Sequence, residues 1–155
     1  MSLGIARRLK AHVSAVGSGT GLELARRLGA VEVFDQTVQP LPGEIRERFD
    51  VVFDASAACR WRQWRGALKP GGAFVTTLPS LEFAVDKVHS HFSPTRVHFV
   101  NVKSRPADLK LLASWLEDGL EVPLASSIAV RDVAEGLLHL QRTGGRIAVR
   151  VADGF

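Results

Sequence analysis

The sequence predicts an α/β fold built on a parallel sheet. Two observations carry this. Short apolar runs ("HVSAV", "VEVFD", "FDVVFDAS", "AFVTTLP", "RVHFVNV") alternate with helical runs such as "GLELARRL" and "WRQWRGAL". That alternation is the pattern of strands joined by crossover helices. Several of these runs are also apolar nearly throughout, rather than at every second residue, as strands covered on both faces are.

Residues 4–11 read as the end of a helix, and His12 to Val16 as the first strand. Gly21 to Leu28 is a helix stopped by Gly29, because a glycine just past the last turn can take the left-handed conformation that ends a helix. Val31 to Asp35 is the second strand, and "QPLPGE" is a proline-broken loop. Phe49 to Ser56 is the third strand, Trp61 to Leu68 a helix, and "KPGG" a turn. Ala73 to Pro79 and Arg96 to Val102 complete the run of strands, with a helix over Leu81 to His89 between them. The remainder differs in texture. Ala107 to Gly119 is an amphipathic helix with Leu109, Leu112, Ala113 and Leu116 on one face. "SSIAV" is a short strand, Asp132 caps the helix "VAEGLLHLQRTGG", and "RIAVRVA" alternates as an edge strand does. The expected organisation is residues 1–105 as a partial nucleotide-binding domain and 106–155 as a helix-strand-helix-strand tail packing on it.

Composition narrows the function classes. The chain has 155 residues, 46% hydrophobic and 23% charged, which suits one globular domain or a piece of a larger one. No apolar run approaches the roughly 20 residues of a membrane-spanning helix, and the N-terminus is too short and basic for a signal peptide. The single cysteine, Cys59, excludes an intrachain disulfide and an all-cysteine zinc site. Cytoplasmic residence is the expectation. Cys59 reads as a partly buried bystander, since no histidine or acid stands near it in a nucleophile pattern. The net charge of +4 comes with arginines scattered along helices rather than massed in a stripe, so no nucleic-acid partner is expected. In "CRWRQWRGALKP" the i, i+3 spacing puts Trp61 and Trp64 on one face, the mark of a helix packed by its aromatic side. His89 and His91 could approach a metal, but no carboxylate or cysteine companion is evident and no metal site is expected.

The chemistry-bearing stretch is "VGSGTGLELARRLGA", a glycine-rich turn that opens a helix. Such a turn brings backbone N–H groups close to a nucleotide. Two families share this look. An S-adenosylmethionine-dependent methyltransferase would use Gly17, Gly19 and Gly21, with Asp35 gripping the ribose. "FDVVFDA" and "LKPGGAFV" also resemble its motifs. However, Ala15 stands where that family places an acid, and its terminal antiparallel hairpin has no counterpart here.

The ordered set of motifs resembles the medium-chain dehydrogenase/reductase superfamily more closely, in its zinc-binding-dehydrogenase and quinone-oxidoreductase group. "RLKAHVSAV…LELARRLGAVEVFD" resembles its second βα unit, and "FDVVFDASA…ALKPGGAFVTT" its next two strands. "RPADLKLLASWLEDGLEVPLASSIAVRDVAEGLLHLQRTGGRIAVRV" resembles its C-terminal tail. The resemblance covers nearly all 155 residues. It implies a truncated Rossmann-like parallel sheet with helices on both faces, lacking the first strand and its G-x-G-x-x-G loop. It also implies hydride transfer between a nicotinamide and a carbonyl, quinone or enone in the full-length family, and no competent activity in this chain alone.

By the same resemblance, Ser18, Gly19 and Thr20 would meet the adenosine phosphoribose, Ala55, Ser56 and Ala57 the nicotinamide ribose, and Thr77, Leu78 and Pro79 the carboxamide. No catalytic residue is assigned. An acid at the end of the second Rossmann strand selects NAD(H) and repels a 2′-phosphate. The turn Gly17–Gly21 has none, which favours NADP(H), although the basic residue common in NADP-dependent relatives is also absent. The alternative is a plain flexible turn that caps a helix. The resemblance further implies a homodimer pairing through residues 97–102, so a non-catalytic dimerisation remnant is a third reading. The gap left by the missing central strand must be closed or filled, and "RIAVRV", from this chain or a second copy of it, is a candidate filler.

Overall fold

The computed structural model describes residues 2–38, 45–56, 59–77, 81–101, 103–124, 126–143 and 147–151. Ala57, Leu78 and Pro79, and the "QPLPGE" loop, lie outside the described residues. The order is α1 (Ser2–Arg8), β1 (Ser14–Gly17), α2 (Thr20–Arg27), β2 (Glu32–Asp35), β3 (Phe49–Asp54), α3 (Trp61–Trp64), β4 (Leu68–Thr76), α4 (Leu81–Ser90), β5 (Arg96–Phe99), α5 (Pro106–Glu117), β6 (Ser126–Ala129), α6 (Val133–Thr143) and β7 (Ile147–Arg150). The fold is α/β with every strand pair parallel.

The strands form three parallel sheets, β1-β2, β3-β4-β5 and β6-β7. In the first, Ser14 pairs with Glu32 and Gly17 with Asp35, so both strands end at one level. Helix α2 makes the crossover and packs on both strands. Gly29 has φ 87° and ends α2 as its position predicts.

The core sits on the three-stranded sheet. Trp61, Trp64, Ala67, Leu68, Phe74 and Val97 are buried together, with Ile45, Phe49, Val52 and Phe83 packed around them. Trp61 and Trp64 do share the buried face of α3. The indole N–H of Trp61 donates to Thr95 Oγ1 at 3.0 Å, so the buried polar tip is satisfied.

Five expectations need correction. The helix starting at Trp61 is a single turn rather than running to Leu68, because Leu68 already pairs with Phe49 in the sheet. "KPGG" lies within β4 as a bulge. Phe49 pairs with Leu68 and Val51 with Ala73, so a two-residue step on β3 faces a five-residue step on β4. Gly71 takes φ 84° there, and a Cβ on Gly72 would fall 2.9 Å from the Lys69 carbonyl. The third correction concerns α5, whose Leu109 and Leu116 are 59% and 48% exposed, so the apolar stripe is not buried among the described residues. Fourth, "RIAVRV" does not fill a slot between β1 and β3. β7 pairs with β6 in register from Ser126–Ile147 to Ala129–Arg150. Fifth, Asp132 ends a 3₁₀ turn (Val130–Asp132) leading into α6, with its carboxylate 3.9 Å from the Arg131 guanidinium, and among the described residues it makes no capping hydrogen bond.

Arginines of α1 and α2 reach the segment that follows α5. Arg8 donates to the Asp118 carbonyl just past the end of α5, where backbone carbonyls lack helical partners. Arg27 pairs with Glu121 at 2.7 Å, and Arg7 donates to the Leu28 carbonyl at 3.2 Å.

Candidate functional site

Parallel strands that end at one level place the loops that follow them along one edge, where open α/β sheets bind ligands. Ser18 and Gly19 follow β1, Thr20 opens α2, Ala55 and Ser56 follow β3, and Thr77 follows β4. All six described candidate residues therefore lie at strand C-terminal ends.

The turn after β1 is shaped by Gly19, at φ 54° and ψ −136°. That combination suits the first central position of a type II′ turn, which glycine dominates. The Gly21 amide closes the turn on the Ser18 carbonyl at 3.1 Å. Ser18, Gly19, Thr20 and Gly21 are exposed, and no atom lies within 4 Å of a Cβ built on Gly19 or Gly21. The backbone is thus open to a ligand, and two hydroxyls flank it. This donor set, neutral and rich in N–H and O–H groups, fits an adenosine phosphoribose.

Two carboxylates missing from the predicted site organise its edges. Asp54 ends β3 and is buried at 6% exposure. Its Oδ1 accepts from the Ser56 amide at 3.1 Å and the Ser56 hydroxyl at 2.9 Å, while its Oδ2 accepts from the Cys59 amide at 2.8 Å. The Ala55–Ser56 loop is thereby pinned. The Thr77 hydroxyl reaches the Ala55 carbonyl at 3.4 Å and joins the ends of β3 and β4. Asp35 repeats the device at the end of β2, accepting from the Thr37 amide at 2.8 Å and hydroxyl at 2.6 Å. The hydroxyl first, then the amide, hold its carboxyl below the ordinary aspartate range. The signal was available in the sequence, because "DAS" and "DQT" both place Ser or Thr two residues after Asp, the spacing of a side-chain turn.

The structure joins Ala55, Ser56 and Thr77 directly. Among the described residues no hydrogen bond links this cluster to Ser18–Thr20, which belong to the β1-β2 sheet. Cys59 lies at the surface with its thiol partly shielded from water. Desolvation is the main influence on its thiol and pushes it up. A hydrogen bond with Trp64 opposes this and the Asp54 charge adds to it, so the thiolate is disfavoured. His89 Nδ1 lies 3.0 Å from Arg62 Nη2 and 2.9 Å from the Val85 carbonyl. Among the described residues no group of three or more His, Cys, Asp or Glu could hold a metal ion. No described helix is long and apolar enough to cross a membrane.

An α/β chain of parallel strands with an open glycine turn and pinned loops on the strand C-terminal edge belongs to the Rossmann-like class. Solved structures specify which kind. A quinone oxidoreductase from Coxiella burnetii matches over 97% of this chain and 48% of its own, with TM-score 0.80 and 18% identity. An NAD-dependent alcohol dehydrogenase matches over 97% of this chain and 47% of its own, with TM-score 0.77 and 21% identity. An acetophenone reductase from Geotrichum candidum, in complex with NAD, matches over 99% of this chain and 46% of its own, with TM-score 0.67 and 16% identity. The chain therefore has the fold of about half of these oxidoreductases and spans about half their length. No family model and no curated protein matches the sequence.

Proposed function

We propose that this chain is the nicotinamide-dinucleotide-binding part of an oxidoreductase of the zinc-binding-dehydrogenase and quinone-oxidoreductase type. Residues 1–105 form its partial Rossmann unit and residues 106–155 a tail packed on it. The contacts of Arg8 with Asp118 and of Arg27 with Glu121 support that packing. The reaction served is hydride transfer between the nicotinamide and a carbonyl, quinone or enone. The observation that carries the reading is that Ser18–Thr20, Ala55–Ser56 and Thr77 each follow the C-terminal end of a parallel strand in a fold shared with such enzymes.

Each group has a role in this reading. The turn Ser18-Gly19-Thr20 binds the adenosine phosphoribose through amides and hydroxyls. Ala55, Ser56 and Ala57 pass the nicotinamide ribose, and Thr77, Leu78 and Pro79 meet the carboxamide. The cofactor supplies the hydride when bound, and these residues orient it. The turn Gly17–Gly21 offers no acid, and Asp35 Oδ1 is already engaged by Thr37. NADP(H) is therefore the preferred cofactor, with NAD(H) second.

Homodimerisation through the outer edge of β5 belongs to the same reading. There Lys87 Nζ donates to the Val97 carbonyl at 2.6 Å and must release it before the edge can pair. Cytoplasmic residence also belongs to this reading.

Calorimetric titration of the chain with NADPH, NADH and S-adenosylmethionine tests the proposal. NADPH should bind about tenfold more tightly than NADH, a difference of about 1.4 kcal/mol. S-adenosylmethionine should give no heat. Saturable S-adenosylmethionine binding without a response to either dinucleotide would overturn the assignment. The chain alone should not turn over quinone. NADPH oxidation at about 1 per second or faster, an ordinary enzymatic rate, would refute that part.

A further inference from the structure

We propose that a second binding site, for a small anion carrying one aromatic ring, lies at the N-terminal end of β5. The dinucleotide edge proposed above lies at strand C-terminal ends, so the two are separate. The site is an open groove of about 480 Å³ lined by Trp61, Arg62, Arg65, His89, Phe92, Ser93 and Pro94. That volume lies in the range of small-molecule sites.

Three features give the groove a ligand chemistry. The first is a cation without a carboxylate partner. The Arg65 guanidinium lies 5.8 Å from the Trp61 ring centroid, and among the described residues no acid pairs with it. A cation–π contact draws a guanidinium toward an indole ring without using its N–H donors, which stay available to an oxyanion. The second is an oriented set of donors. Arg62 Nε donates to the buried Asp86 carboxylate at 2.7 Å, and its Nη2 lies against His89 Nδ1 at 3.0 Å. Asp86 balances the charge of Arg62, which leaves Arg65 as the net positive group and Arg62 as a fixed donor beside it.

The third feature is an aromatic ring held outward. Phe92 is 91% exposed. It is not carried on a loose tip. The His91, Phe92 and Ser93 amides donate to the carbonyls of Val88, His89 and Ser90. Arg96 Nη1 donates to the Ser90 and Ser93 carbonyls at 3.0 and 2.9 Å, and the Ser93 hydroxyl meets Thr95 Oγ1 at 3.1 Å. Thr95 in turn holds the Trp61 indole. The loop that displays Phe92 is tied into the core, so the backbone that carries the ring is ordered before a ligand arrives. A ring stacked on Phe92 with its anion at Arg65 and Arg62 uses all three features.

The probe is phenyl phosphate, titrated into the whole chain by calorimetry, with inorganic phosphate and phenol as separate arms. The expected result is saturable binding with a Kd of about 0.1–1 mM, and affinities at least tenfold weaker for phosphate and for phenol. Arg65→Gln and Phe92→Ala change exposed side chains and leave the buried Trp61 in place. Each should weaken phenyl phosphate by about fivefold or more, while NADPH binding stays at the wild-type value. The proposal is overturned if phenyl phosphate does not saturate by about 10 mM, if either partial ligand binds as tightly as the whole, or if both variants bind like the wild type. Failure of NADPH to bind would count against the dinucleotide reading alone, because this site shares no residue with it.

Discussion

Removing the Asp54 carboxylate should unlatch the loop that follows β3. Asp54 accepts three hydrogen bonds, from the Ser56 amide, the Ser56 hydroxyl and the Cys59 amide, at 3.1, 2.9 and 2.8 Å. Bonds to an ionised acceptor contribute about 1.5–3 kcal/mol each when partly buried, and less where the donor can turn to water. The Ser56 hydroxyl can turn to water because Ser56 is exposed. Asp54→Ala should therefore cost about 2–4 kcal/mol, which at an ordinary urea dependence moves the unfolding midpoint by about 1–2 M.

Asp54→Asn separates the two halves of the latch. Its carbonyl keeps both Ser56 donors, while its NH₂ faces the Cys59 N–H, so about 1–2 kcal/mol should be lost. Urea unfolding followed by tryptophan fluorescence reads both variants, since Trp61 and Trp64 are core residues close in sequence to the loop. If both variants unfold within about 0.5 kcal/mol of the wild type, the range of an ordinary surface substitution, the latch is absent and the loop is held by something else.

Three further outcomes are expected. Thr37→Val removes the hydroxyl that most lowers the Asp35 pKa, so carboxyl NMR should show Asp35 titrating closer to the ordinary aspartate value of about 3.9. Because the folded pKa is the depressed one, the Thr37 hydroxyl stabilises the protein above the unfolded pKa. The wild-type advantage over Thr37→Val should fade as pH falls through the folded pKa of Asp35. Gly19→Ala should cost about 1–3 kcal/mol in thermal or urea unfolding through backbone strain alone, since its Cβ would meet no atom within 4 Å. Lys87→Met frees the Val97 carbonyl on the outer edge of β5, so light scattering should show more dimer than in the wild type; an unchanged mass distribution would show that Lys87 does not guard that edge.

Local chemistry made much of the fold legible. Gly29 stops α2 because a left-handed residue is needed there, and the paired tryptophans of α3 are buried because their i, i+3 spacing sets one face. Strand partners were not legible, because pairing is decided far along the chain. "RIAVRV" alternates as an edge strand does, yet nothing local to it specifies β6 as its neighbour. "KPGG" has the composition of a turn, and only the register of β4 against β3 shows it to be a bulge. In the site, the open turn around Gly19 could be read from glycine spacing. The latches at Asp54 and Asp35 were written in "DAS" and "DQT", but that spacing does not by itself tell a carboxylate that holds its own loop from one that faces a ligand, as Asp35 would in the methyltransferase reading.

The latches gain importance from the edges of the sheets. β1 pairs only with β2, and β3 only with β4. Each therefore keeps one edge unpaired among the described residues, although the apolar sequence of β3 is that of a strand covered on both faces. Val51 and Phe53 on β3 are 57% and 47% exposed, and Val16 on β1 is 44% exposed. A strand bonded on one edge opens more readily than one bonded on both, and the loop at its end inherits that freedom. The Ser56 loop is protected from this by Asp54, which ties it to its own strand end. The Gly17–Gly21 turn is held by main-chain bonds, from the amides of Gly21 to Ser18, Leu22 to Gly19 and Gln36 to Gly17, and among the described residues no side-chain latch ties it. Ligand binding to a loosely held loop costs ordering free energy that a rigid loop does not. On the proposed reading, the adenosine end of the dinucleotide should therefore bear most of any affinity deficit in this chain, and the ribose end beside Ser56 the least. Titration with 2′,5′-ADP and with nicotinamide mononucleotide separates the two ends. If substitution of Asp54 leaves nicotinamide mononucleotide binding unchanged while weakening 2′,5′-ADP, the order of rigidity argued from the strand edges is reversed.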